Sequence, residues 1–223
     1  MRAAVIRAVI FDLDGVVVTT DEFHYRAWRQ LADEEGIYFD RNINHRLRGV
    51  SRMESLEIVL ERSPRTYTPE EKLRLAERKN ATYRESLRAL TPADVLPGAR
   101  EILIELRRRG IKLAVGSSSK NTPVILERTG LAEHFDAVTD GNDITHSKPD
   151  PEVFLLAAQR LGIPPGECLV VEDALAGVEA ARRAGMAVFG IGTPESLPGV
   201  QHLAASLAHV TADRLFAAGD TPS

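Results

Sequence analysis

The chain has 223 residues, with 28 basic and 32 acidic side chains and a formal charge of −4. That length can bury a proper core, and bulk electrostatics give no reason to expect a nucleic-acid partner. No stretch approaches the roughly 20 apolar residues that cross a bilayer, and Arg7 interrupts the only N-terminal apolar run.

A cytoplasmic monomer that binds neither membrane nor nucleic acid is therefore expected. The single cysteine, Cys168, has no internal disulfide partner and heads an apolar run, so it reads as a buried, inert thiol.

In chain order, apolar runs too short for helices predict strands at residues 5–11, 112–115, 168–171 and 187–191, with a weaker candidate at 135–139. Helical patterns separate them at 99–109, 123–129, 152–161 and 174–184. Such alternation predicts an α/β fold: a doubly wound parallel sheet with helices on both faces. Residues 208–211 read as a possible extra strand and 212–218 as a closing helix.

The first crossover is the exception. It carries helical segments near 21–35, 51–62 and 69–90 and no convincing strand, which is far longer than an ordinary βα connection. This predicts a helical cap domain over 20–92, inserted into a core domain formed by 1–19 and 93–223. Hinges fall near Val17–Thr20 and Thr91–Leu96, where Pro92 and Pro97 stiffen the return strand.

In a doubly wound sheet, ligands bind beyond the carboxyl ends of the strands. Asp12 and Asp14 follow the first strand, and residues two apart in an extended segment face the same way. Two clustered carboxylates are costly unless a cation or a shared proton relieves their repulsion. The second strand is followed by Ser117, Ser118, Ser119, Lys120 and Asn121, whose hydroxyls open a helix. That pattern suits an anion, and equally suits plain capping. Lys148 stands before Pro149 in an irregular loop, and Glu172-Asp173 follows the next strand.

Each of these signals has an ordinary reading as a capped helix or a solvated side chain, but all fall at one edge of one sheet. Hard carboxylate oxygens suit Mg²⁺, while hydroxyls, backbone N–H groups and an ammonium suit a phosphoryl group.

With Asp12-Leu13-Asp14-Gly15-Val16, Ser117, Lys148-Pro149 and Glu172-Asp173 in this order and spacing, the chain resembles the phosphotransferases of the haloacid dehalogenase superfamily across its whole length. The resemblance implies that Asp12 is a nucleophile that becomes an aspartyl phosphate and Asp14 a general acid/base. It implies a Mg²⁺ held by Asp12, the Asp14 carbonyl, Asp173 and Glu172. Ser117 and Lys148 would neutralise the transferring group. The carboxylate at Asp14 argues against dehalogenation, which has no use for it.

Within the superfamily, Glu22–Trp28, the loop Arg48-Gly49-Val50-Ser51-Arg52, the Lys79 region, Thr91–Gly98 and Ser117–Asn121 are similar to their counterparts in sugar phosphomutases. That implies sugar-phosphate substrates: glucose 1-phosphate, turned into glucose 6-phosphate through glucose 1,6-bisphosphate. Arg52 would hold the non-transferring phosphate, with Ser117 and Asn121 helping at the two phosphate sites. His24 and Lys79 would support Asp14, and Gly49, Val50, Ser51 and Ser55 would line the sugar pocket. A sugar-phosphate phosphatase, with water as acceptor, is the alternative on the same scaffold. A catalytically silent binding protein predicts the loss of Asp12, Asp14, Lys148 or Glu172-Asp173, and none is lost.

Overall fold

A computed structural model of the chain describes residues 5–47 and 50–220, so the expectations for Arg48 and Gly49 lie outside the described residues. Six parallel strands form one sheet in the order β3-β2-β1-β4-β5-β6. They are β1 (Ala8–Phe11), β2 (Lys112–Gly116), β3 (Ala137–Thr139), β4 (Cys168–Glu172), β5 (Ala187–Ile191) and β6 (Leu203–Ala204).

The strands read as unbroken apolar runs because both of their faces are covered, as a parallel sheet requires. Val9, Phe11, Leu113, Val115, Leu169 and Val171 feed one core. Their alternates Ala8, Ile10, Ala114, Cys168 and Val170 feed the other, under α7 (Glu152–Leu161) and α8 (Leu175–Arg183). Helix α5 (Ala99–Arg108) packs on the first face through Ile102, Leu103 and Leu106.

The segment between β1 and α5 holds α1 (Asp21–Glu34), α2 (Arg41–His45), α3 (Arg52–Leu60) and α4 (Pro69–Ser86). These helices bury an apolar cluster of their own, built on Trp28, Leu31, Phe39, Leu56, Val59 and Leu75. Tyr83, Leu87 and Leu90 instead enter the main core beneath the sheet's edge. The two linkers lie side by side: Val18 bridges Val95 antiparallel, and the Leu96 amide donates to Val17 O at 2.9 Å. No helix among the described residues is long and apolar enough to cross a membrane.

Three local expectations need correction. The first strand starts at Ala8, where the paired register begins; Val5 is 74% exposed, and just ahead of Ala8 Arg7 N donates to Glu167 O and Arg7 O accepts from Lys112 N. Residues 208–211 are not a strand. The chain takes a 3₁₀ turn at Leu207–His209, and the Thr211 hydroxyl accepts from Arg214 N to cap α9 (Ala212–Phe216). The sixth strand is instead Leu203–Ala204, paired with Gly190–Ile191. Helix α2 was not expected: five residues are too few for a period, although Asp40 caps it by accepting from Ile43 N at 2.8 Å.

Candidate active site

The chain builds β1, β2 and β3 outward to one side, then returns to place β4 against β1. The strand order reverses between β1 and β4, and such reversals open a crevice at the strands' carboxyl ends. Phe11 is in register with Val115 on one side and Val171 on the other. Asp12, Gly116 and Glu172 therefore sit level at the sheet edge, and the Asp12 amide still donates to Val171 O at 2.9 Å.

Lys148 enters this edge from the loop after β3, with only 1% of its surface exposed. Its ammonium donates to Asp12 Oδ1 at 2.5 Å and to Glu172 Oε1 at 2.6 Å, above the Phe154 ring. The other Glu172 oxygen accepts from Ala174 N at 2.8 Å. Burial opposes the charge on Lys148, but the two carboxylates more than reverse this and hold its pKa well above the usual lysine range. Burial pushes Asp12 up to about 7, against the pull of the Lys148 ammonium, and the Glu172 charge adds to the rise.

Carboxylate oxygens of Asp12, Glu172 and Asp173 converge within 4.8 Å of one another. All three are hard donors of the kind Mg²⁺ takes. Two glycines make the room. A Cβ at Gly15 would overlap the Asp173 carboxylate, and one at Gly177 would overlap Glu172 Oε1 and Cδ. The donor set fits a divalent cation, with Glu172 at its margin because both its oxygens already accept hydrogen bonds. Gly177→Ala is expected to displace a side chain that is pinned at both oxygens, at a cost of about 1–3 kcal/mol for forced overpacking. Thermal unfolding should read roughly 2–4 °C lower per kcal/mol, and an unshifted transition would refute this account.

Asp14 points toward the cap. It accepts from the Thr20 hydroxyl, which in turn accepts from Tyr83 Oη at 3.1 Å. Burial pushes Asp14 up to about 6 despite the Thr20 hydrogen bond. Above it, Lys79 Nζ donates to His24 Nδ1 at 2.8 Å, and His24 stacks on Tyr83 with 4.0 Å between centroids. Lys79 is buried and lies 4.6 Å from both the Trp28 and Tyr83 ring centroids. Burial first, then the Arg52 guanidinium, pull its pKa well below the ordinary lysine value. His24 is held well below the imidazole range by desolvation and by Lys79 and Arg52. The half-buried Arg52 forms no salt bridge among the described residues, and burial lowers its pKa too.

The remaining predicted residues divide in two. Ser117 and Asn121 are buried at the β2 tip, with Ser119 N donating to Ser117 Oγ at 3.1 Å and Asn121 N to Ser119 Oγ at 3.2 Å. Ser118 Oγ is buried without a hydrogen-bond partner among the described residues, and Lys120 is exposed. On the cap, Ser51 caps α3 by accepting from Glu54 N, so its hydroxyl is occupied. Ser55 is buried one turn on, and Val50 is half-buried just before the cap residue. Sequence reading passed over Tyr83 and Asn80. Their signal was spacing, since Tyr83 stands four residues from Lys79 and Asn80 one, all on α4.

Known proteins resemble this chain in sequence and fold. The profile of the haloacid dehalogenase-like hydrolases matches residues 6–185. β-Phosphoglucomutase of Bacillus subtilis is 41% identical over 211 residues, 94% of this chain and 93% of that one. A phosphorylated-carbohydrates phosphatase of Thermotoga maritima is 34% identical over 188 residues, 82% and 84% of the two chains. The crystal structure of β-phosphoglucomutase from Clostridium difficile superposes with a TM-score of 0.91 at 38% identity, covering 96% and 97% of the two chains. With the acidic pair after β1, the lysine from the loop after β3 and the acids after β4 meeting at one sheet edge, this phosphotransferase belongs to the haloacid dehalogenase-like hydrolase family.

Proposed function

We propose that this enzyme is a β-phosphoglucomutase, interconverting β-glucose 1-phosphate and glucose 6-phosphate. The observation that carries this reading is the cap's basic array. Lys79 is hydrogen-bonded to His24, both feel the Arg52 guanidinium, and Lys79 also feels the Asp14 charge, so phosphate can be held at both ends of a sugar.

Asp12 attacks phosphorus and forms the aspartyl phosphate, while Asp14 donates a proton to the departing sugar oxygen. Lys148 balances the charge on Asp12, and Ser117 offers its hydroxyl to the phosphoryl oxygens. In the other half of the cycle the aspartyl phosphate passes its phosphoryl group to a hydroxyl of glucose 1-phosphate, and Asp14 takes that hydroxyl's proton. The bisphosphate so formed turns over to return its other phosphate to Asp12; a pKa near neutrality suits both directions. Bound Mg²⁺, held by Asp12, Asp173 and the Asp14 carbonyl with Glu172 beside them, would neutralise developing phosphoryl charge. The helical segment 20–92 serves as the lid that keeps water from the aspartyl phosphate, and sugar contacts come from Val50, Ser51 and Ser55.

The Thermotoga relative keeps a phosphatase reading in view, with water as acceptor. The deciding experiment supplies β-glucose 1-phosphate, Mg²⁺ and catalytic glucose 1,6-bisphosphate, and follows glucose 6-phosphate and free phosphate together. Glucose 6-phosphate in large excess is expected; free phosphate without it means a phosphatase. In the same assay Arg52→Ala should slow mutase turnover about 10- to 150-fold, the worth of one hydrogen-bonded charge. Hydrolysis of a small aryl phosphate should change less than about threefold, because that substrate has no second phosphate. Equal losses on both substrates would remove Arg52 from the second-phosphate site.

A further inference from the structure

Helix α4 touches the core at a second point that the chemistry above does not use. Asn121 Nδ2 donates to Asn80 Oδ1 at 3.0 Å, joining the cap to the loop after β2. Asn121 is the N-cap of α6 (Thr122–Thr129), and asparagine at that position normally folds its side chain back onto the helix's free amides. Asp40, Ser51, Thr68 and Thr211 all do so in this chain. Asn121 makes no such bond and spends its amide across the cleft. Thr20, the N-cap of α1, is diverted in the same way, onto Asp14.

Among the α-helix N-caps of the described residues whose side chains could cap, the two released are those where cap and core meet, and both are answered by α4, through Asn80 and Tyr83. Asn121 is 7% exposed, so its side chain has little freedom to find water instead. The loop's internal bonds, Asn121 N donating to Ser119 Oγ and Thr122 Oγ1 donating to Ser119 O, fix its backbone and leave that side chain unheld.

We propose that Asn80 is a positioning residue: it clamps the Asn121 side chain from the cap, so that the 117–121 loop and the closed cap form one unit. Its catalytic consequence rests on the mutase reading, in which Asn121 meets substrate phosphate. The clamp itself does not. Placing the cap over the pocket and orienting the Asn121 amide are then a single event, which favours a large phosphorylated sugar over water.

The test uses the full chain without ligand. Hydrogen exchange of the amides spanning 118–124 should run about three- to tenfold faster in Asn80→Ala, the range set by loss of one hydrogen bond. Asn80→Asp keeps an acceptor oxygen and should restore slow exchange. In turnover, Asn80→Ala should raise KM for glucose 1,6-bisphosphate about three- to tenfold with kcat within about twofold. A double variant with Asn121→Ala should be no worse than the poorer single one. Unchanged exchange in Asn80→Ala overturns the clamp, whatever the reaction proves to be. Absence of glucose 6-phosphate from the wild-type protein would instead overturn the mutase reading and leave the exchange result to decide the clamp.

Discussion

Asp12→Asn leaves a folded protein that takes up no phosphate from any donor. The amide is isosteric and can still accept from Lys148, so the local packing survives. What goes is the anionic oxygen, and a neutral amide is no nucleophile toward phosphorus. Turnover should fall by at least about a thousandfold, roughly 4 kcal/mol of barrier. The effect is this large because neither Glu172 nor Asp14 can stand in. Glu172 is tied to Lys148 and Ala174 N, and Asp14 is turned to Thr20. The measurement is intact mass after mixing with a phosphate donor, alongside circular dichroism to show retained fold. A phosphorylated Asp12→Asn protein would place the nucleophile elsewhere.

Much of the fold is legible in the residues because the strands that matter are buried on both faces. Runs such as Ala8-Val9-Ile10 and Leu169-Val170-Val171 announce themselves without any alternation, and glycines or turn residues end them. Elements that carry little apolar area of their own are silent. The two residues of β6 are strand only because β5 lies beside them, and α2 shows just an N-cap aspartate. Val210 and Thr211 suggest a strand by β-branching, yet Thr211 is spent on capping, a choice that tertiary context makes.

The site shows the same division. Asp12, Asp14, Lys148 and Glu172-Asp173 are readable because signals that are ordinary one by one all fall at the same edge of one sheet. The cap contacts are not. Lys79 on a polar helix looks solvated, and only the packing of α4 against α1 buries it between Trp28 and Tyr83. Tyr83 looks like an ordinary core aromatic, but its hydroxyl reaches Thr20 and so the Asp14 carboxylate. Ser51 reads as a pocket residue or as a cap with equal ease, and its hydroxyl is found capping α3. Sequence spacing places residues on a face, and side-chain partners across sixty residues of chain decide what each does there.

Lys148→Met is expected to lose both stability and catalysis, and the stability loss should depend on pH in a defined direction. The methionine keeps the stem over Phe154 and removes the ammonium that joins Asp12 and Glu172. Breaking a buried pair from one side typically costs about 3–5 kcal/mol, or roughly 6–20 °C of melting temperature for a chain of this size. Asp12 already sits up near 7 with the ammonium in place, so without it the folded-state value rises further above the unfolded 3.8. A carboxyl whose folded pKa is raised makes the native state bind more protons than the unfolded one, so stability is lost as pH rises through the folded value. The variant should therefore lie closer to wild type at about pH 5, where Asp12 takes up a proton, than at about pH 8, where its buried carboxylate is charged. Thermal unfolding of both proteins in chelator at the two pH values reads this directly. A deficit of equal size at both would mean that the ammonium does not set the charge state of Asp12, and it would no longer explain how the sheet edge tolerates Asp12 and Glu172 together.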